Sequence, residues 1–234
     1  MKLRRAGSVL LFYVLTISLF LVGTYWGSVA TTVISQMIPV TRHHIVVIDA
    51  GHGGVDGGAI SCTGKLESMY NLEIALRLND LLHLLGVHTQ MVRTTDISVY
   101  TQGETIAAKK VSDLRNRVNL VNSTENALLL SIHQNTFPES RYHGAQVFYA
   151  PNGDGNVLAE NLQSAFRQTI NPDSNRQSKK GSGIYLMEHI NKTGVLIECG
   201  FLSNAEEEAK LRDKTYQQKL VCVIGSTVCN FLDR

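Results

Sequence analysis

The sequence predicts one α/β domain, a twisted sheet with helices on both faces, behind an N-terminal segment that does not belong to it. Three observations carry this. Short apolar runs of strand length alternate with stretches of helical periodicity from residue 45 onward, and strands buried on both sides read as such unbroken runs. The first forty residues hold Lys2, Arg4 and Arg5 and then no charge until Arg42. Residues 42–234 are enough for one good core and crowded for two.

The elements follow in order. Residues 45–48 are a continuous apolar run that ends at Asp49 and a glycine cluster, a buried strand opening into a loop. Residues 66–85 carry apolar side chains at helical spacing, with Gly86 in the stop position. A short strand is expected over 87–93. Residues 94–111 are polar with little periodicity, a loop long enough for a lid or insertion. Ser112 is read as the cap of a helix to about Val121, and 127–132 as another buried strand. Strands are expected at 146–149, 183–187 and 193–197, with a helix near 157–170 after the first of them. Asn204 with Glu207 three residues later marks the start of the closing helices.

The leader has the three regions of a secretory signal: a basic cluster, the apolar run 9–22, and small residues at Ser28-Val29-Ala30. It is also long enough to cross a bilayer of roughly 30 Å and stay as an anchor. Export and membrane contact by residues 1–41 are therefore expected, with the domain beginning at 42. Of the 22 Lys+Arg, three belong to the leader, which leaves 19 against 20 Asp+Glu. That balance excludes a general nucleic-acid binder, which needs a basic surface. Hydrophobic content of 44% with 18% charge excludes a disordered chain. Cys222 and Cys229 lie on one expected helix, roughly 10 Å apart at the Cα atoms and too far to bridge. With Cys62 in a loop and Cys199 in a strand, four free thiols are expected.

Four ionisable residues stand where expected strands and loops open out. His52 follows the first strand, Glu67 begins the first helix, His133 ends the strand at 132, and Glu198 ends the strand at 197. In open α/β sheets the carboxyl ends of the strands form the ligand crevice, so these groups converge on one rim. Two neutral imidazoles and a carboxylate are the ligand set of a catalytic Zn²⁺ that keeps one position open. A second carboxylate outside that set is then needed to move a proton. The carboxylate of Glu198, directly after Val195-Leu196-Ile197, is costly in a buried strand unless paired or coordinated. The glycines around His52 lack the Lys-Ser/Thr that a phosphate-binding loop requires. The remaining histidines, 43, 44, 83, 88, 143 and 189, have no comparable context.

At these same positions the chain resembles the zinc-dependent N-acetylmuramoyl-L-alanine amidases of the amidase-3 family. Ile48-Asp49-Ala50-Gly51-His52-Gly53-Gly54 is similar to the family's first ligand loop, with Ala50 where a proline is usual. Ser131-Ile132-His133-Gln134-Asn135 and the block from Leu196 through Glu198-Cys199-Gly200 to Asn204 are similar to its third-ligand and catalytic-glutamate motifs. The resemblance runs over residues 44–232. It implies a single α/β domain with a mixed sheet, one Zn²⁺ held by His52, Glu67 and His133, and Glu198 as the catalytic acid-base. It also implies cleavage of the amide between N-acetylmuramic acid and L-alanine in peptidoglycan. Within the family, residues 144–149 and 183–187 resemble the germination-specific spore-cortex amidases of endospore-forming bacteria, which implies a place in spore cortex and a step toward muramic-δ-lactam.

Two other functions compete. A zinc carboxypeptidase uses similar groups, but its first two ligands sit three residues apart, whereas His52 and Glu67 are fifteen apart. A catalytically silent peptidoglycan-binding module of amidase fold is disfavoured by the presence of all four residues. An activating or localising protein partner is compatible with everything above.

Overall fold

The computed structural model describes residues 17–18, 22–24 and 44–234. The leader boundary at 41, the small-residue site at 28–30 and most of the apolar run lie outside the described residues. Among those described, no helix is long and apolar enough to cross a membrane.

The order of elements is β1 (Ile45–Ala50), α1 (Glu67–Leu84), β2 (His88–Met91), α2 (Ile106–Ser123), β3 (Ala127–Asn135), β4 (Gln146–Tyr149), α3 (Gly155–Thr169), β5 (Lys179–Lys180), α4 (Tyr185–His189), β6 (Thr193–Phe201), α5 (Ala205–Arg212) and α6 (Lys214–Leu232). One sheet of order β2-β1-β3-β6-β4-β5 contains all the strands of the described residues. It is mixed, because β4 runs antiparallel to β6 and parallel to β5 while the other pairs are parallel.

Alternation along the strands sends side chains to two cores. Val46, Ile48, Leu128, Leu130, Ile132, Val195 and Ile197 pack under α1, α3 and α6. Val47, Leu129 and Leu196 face the opposite way, toward α2 and α4. The chain leaves β1 to form β2 on one side and returns through α2 to β3 on the other. That reversal makes the carboxyl ends of β1 and β3 a topological switch point, where a crevice opens between the diverging connections.

Several expectations need correction. The strand expected at 183–187 is helix α4, whose Tyr185 and His189 rings stack at 3.9 Å; a short apolar run does not by itself distinguish strand from helix. The two-residue strand β5, unpredicted, takes the sheet edge instead. Helix α2 begins six residues before Ser112. Its cap is Thr105, whose hydroxyl accepts from Ala108 N. Ser112 lies inside the helix, its Oγ accepting from Thr101 N (3.1 Å) and Gln102 N (3.2 Å).

What is left of the expected loop is tied to its surroundings by hydrogen bonds. Asp96 accepts from Gly54 N (3.0 Å), and Ser98 Oγ donates to Gly53 O (2.5 Å). Asp113 of α2 takes Val99 N (2.6 Å). Asn204 caps α5 as expected by accepting from Glu206 N and Glu207 N. Glu207 does not reach back to it; its carboxylate accepts from Gly144 N and Phe201 N. As expected, none of the four cysteines forms a disulfide.

Candidate active site

His52 is delivered by the loop after β1 with φ 60, a left-handed conformation rare for a residue with a side chain. The surroundings over-determine it. Buried Arg93 donates from Nε to Ala50 O (2.8 Å) and from Nη2 to Gly51 O (3.0 Å) and Ser68 O (2.8 Å). Arg117, also buried, donates to Ala50 O (3.1 Å) and His52 O (2.8 Å) and pairs with Asp49 and, at 2.5 Å, Asp113. Three successive carbonyls of the loop thus point at two guanidinium groups. Asp49 also accepts from Ser131 Oγ (2.6 Å), and the two are register partners on β1 and β3. Burial opposes ionisation of Asp49, but Arg117 and Ser131 outweigh it and hold its carboxyl below the usual range.

His52 Nδ1–H donates to Asp56 Oδ2 (3.0 Å), which also receives Lys110 Nζ (3.2 Å). An outer carboxylate of this kind fixes the tautomer and leaves Nε2 with its lone pair. That nitrogen lies 3.3 Å from Glu67 Oε2, and His133 Nδ1 lies 3.0 Å from Glu67 Oε1. Glu67 further accepts from Ala59 N, Asn71 Nδ2 and Gln134 N. Burial works against its ionisation, but hydrogen bonds and charge from His133 and His52 push its carboxyl far below the normal range.

Strands β3 and β6 run past the ends expected at 132 and 197, so His133 lies two residues inside the end of β3 and Glu198 three inside that of β6, and the register of the two strands shifts between His133 and Asn135. Such irregularities re-aim side chains at sites. A Cβ on Gly51 would stand 2.1 Å from the His133 ring, and one on Gly58 2.6 Å from Glu67 Oε2, so both positions are kept clear for the cluster.

His52, Glu67 and His133 each offer a donor atom, all within 4.8 Å of one another, a set able to hold a metal ion. Ligands about 2.0–2.1 Å from a tetrahedral ion stand roughly 3.3 Å apart, close to the separations found here. Glu198 sits in register with His133 on the neighbouring strand, beside the trio. Its Oε2 is sheltered from solvent and has no hydrogen-bond partner, a condition shared among buried side-chain atoms only with Ser68 Oγ and Gln134 Oε1 of the described residues. Burial first, and the charge of Glu67 next, push its carboxyl up to about 7, against the opposing pull of His133 and His52.

The match to known proteins decides what this cluster belongs to. A profile of the N-acetylmuramoyl-L-alanine amidases matches residues 46–230. The chain belongs to that family. The amidase is 39% identical over 190 residues to the germination-specific N-acetylmuramoyl-L-alanine amidase of Bacillus subtilis (strain 168), covering 80% of this chain and 79% of that one. Its fold matches the CwlD amidase of Clostridioides difficile, solved in complex with the GerS lipoprotein, with TM-score 0.77 and 35% identity over 81% of this chain and 98% of that one. It also matches the amidase AmiC2 of Nostoc punctiforme with TM-score 0.71 and 26% identity, over 84% and 100% of the two chains.

The structure gathers His52, Glu67 and His133, with Glu198 beside them, as expected from the sequence, and it adds the residues that orient them. Asp56, Asn71, Arg93 and Arg117 were not singled out. Asp56 had a local signal, four residues after His52 in the same glycine-rich loop. Arg93 and Arg117 act across separations of some forty and sixty-five residues and had none.

Proposed function

We propose that this amidase is a zinc enzyme cleaving the amide between N-acetylmuramic acid and L-alanine in spore-cortex peptidoglycan, leaving the peptide-free muramic acid that precedes a muramic-δ-lactam. His52, Glu67 and His133 are the metal ligands, and Glu198 is the proton carrier. The observation that supports this division is the Glu198 Oε2 atom, without a partner and in register beside His133 but outside the trio. The donor chemistry fits: two imidazoles and one carboxylate leave an ion with net positive charge and an open position.

Bound Zn²⁺ supplies Lewis acidity, polarising the scissile carbonyl and easing the ionisation of water. The rest is done by the chain. Asp56 keeps the His52 proton on Nδ1, and the arginine-held carbonyls keep the ring from turning away. Glu198 takes a proton from the attacking water as the new C–O bond forms. It returns that proton to the alanine nitrogen as the C–N bond breaks.

Residues 1–41 are assigned to an export signal or membrane anchor and 42–234 to the catalytic domain, which puts the chain on the side of the membrane where peptidoglycan lies. The germination-specific relative supports the cortex assignment. The relative solved with a lipoprotein supports an exported protein partner here as well.

The test measures zinc content and turnover together on wild type, His133→Ala and Glu198→Gln, with mass spectrometry of the digested peptidoglycan. Wild type is expected to release peptides beginning with L-alanine. His133→Ala loses zinc and activity, whereas Glu198→Gln keeps zinc and loses about 10²- to 10⁴-fold in rate. Loss of zinc from Glu198→Gln as complete as from His133→Ala would make Glu198 a ligand and overturn the roles.

A further inference from the structure

The groove on the β4 side of the centre gathers cations that have no salt-bridge partner among the described residues. It encloses about 450 Å³, and its lining includes Arg141, His143, Gln146, Arg176 and Lys179. Among the described residues none of Arg141, Arg176 and Lys179 forms an ion pair. The single acid of the lining, Asp173, is exposed and lies within salt-bridge distance of none of them. Glu207, behind Arg176, spends its Oε2 on Gly144 N and Phe201 N.

Arg176 is held in place without being used up. Its Nε donates to His143 O (2.9 Å), Nη1 donates to Gln146 Oε1 (3.1 Å), and the guanidinium lies 4.6 Å from the centroid of the Phe201 ring. Phe201 in turn stacks on Tyr142, over which Arg141 lies at 5.3 Å. A planar group fixed on two nitrogens and one face, with Nη2 making no hydrogen bond, is preorganised to take a carboxylate.

Two of the three residues that hold the Arg176 guanidinium, Gln146 and Phe201, border Glu198. Gln146 is its register partner on β4, and Phe201 follows three residues later on β6. Neighbouring strands are about 4.8 Å apart, so a guanidinium one side chain beyond β4 lies roughly 10 Å from the reacting centre. An extended peptide covers that in about three residues at 3.3–3.6 Å each.

We infer that this groove is a carboxylate subsite for the peptide being removed, with Arg176 receiving an acidic group two or three residues beyond the scissile amide. The inference rests on the amidase reading and deepens it by naming what the leaving fragment must carry. Arg141 and Lys179 add long-range attraction, and Arg176 sets the position.

The test uses the full chain and two soluble muramoyl peptides of equal length, one with free side-chain and terminal carboxylates and one with all of them amidated. Wild type is expected to prefer the acidic peptide in kcat/KM. In Arg176→Gln the ratio of acidic to amidated should fall roughly 10- to 100-fold, the worth of a hydrogen bond between charged groups, with KM carrying the change. Calorimetric binding of the released acidic peptide, against its amidated form, reads the same preference without turnover. If neither muramoyl peptide is cleaved, the amidase reading fails and the binding arm still judges the subsite. Should Arg176→Gln lower both substrates together through misfolding, seen as a lower melting temperature, Arg141→Gln with Lys179→Gln decides, with the ratio again expected to fall. A ratio and a binding preference that are the same in wild type and these variants overturn the subsite.

Discussion

On the β1–α1 side of the centre Glu67 lies against two histidine rings and accepts from Asn71 and the backbone of Ala59 and Gln134, while on the β6–β4 side Glu198 Oε2 accepts from nothing. The carboxyl of the first is driven down and that of the second up to about 7. The arginines divide in the same way. Arg93 and Arg117 are buried and spent on carbonyls and carboxylates; half-buried Arg176 and exposed Arg141 form no ion pair among the described residues. Two carboxylates of like chemistry, pushed apart by their environments, mark separate tasks. Holding requires donors to be satisfied before the ligand arrives, whereas reacting and binding substrate require groups left with capacity.

The sharpest way to break that contrast is to neutralise each carboxylate in turn. Glu67→Gln should lose metal and activity together, and Glu198→Gln only activity, each by about 10²-fold or more; equal metal affinities in the two variants would erase the distinction. Next in size are the arginines. Arg117→Met strands Asp49 as an unpaired buried charge and should cost about 3–5 kcal/mol in denaturant unfolding, whereas Arg176→Gln should cost under about 1 kcal/mol, in keeping with surface substitutions near ±0.5. Comparable losses would show that Arg176 is structural.

The same network has a pH signature. Asp49 is held below its usual carboxyl range, so its contribution is present in full above the unfolded value near 3.9 and is lost as pH falls toward the folded one. Asp49→Asn should therefore flatten the dependence of melting temperature on pH below about 4. Smallest is the outer carboxylate on His52. Asp56→Asn should weaken metal binding by about 10- to 100-fold, measured by competition with a chelator, with little change in melting temperature of the metal-free protein.

Where a property depends on a few neighbouring residues, it was legible. The run 45–48, the helix before Gly86, the Asn204 cap and the rim positions of His52, Glu67, His133 and Glu198 are local signals, and each produced the element or neighbourhood expected. Residues 183–187 show the limit of such signals, since five mostly apolar residues satisfy strand and helix alike. So does Glu207, whose spacing from Asn204 suits a capping box while its carboxylate serves the backbone of Gly144 and Phe201.

The sequence alone therefore determined the fold class, the family resemblance and which four side chains meet, because strand ends in a doubly wound sheet share one edge and periodicity locates those ends. Only the tertiary structure decided which partners each side chain has. Arg117 is spent on His52 and Asp49, and Arg176 is left with a free edge, though both are arginines in polar segments. The difference lies in contacts between residues far apart in the chain, and those exist only once helices α1 and α2 have closed on opposite faces of the sheet. Whether a charge is satisfied or available follows from that closure.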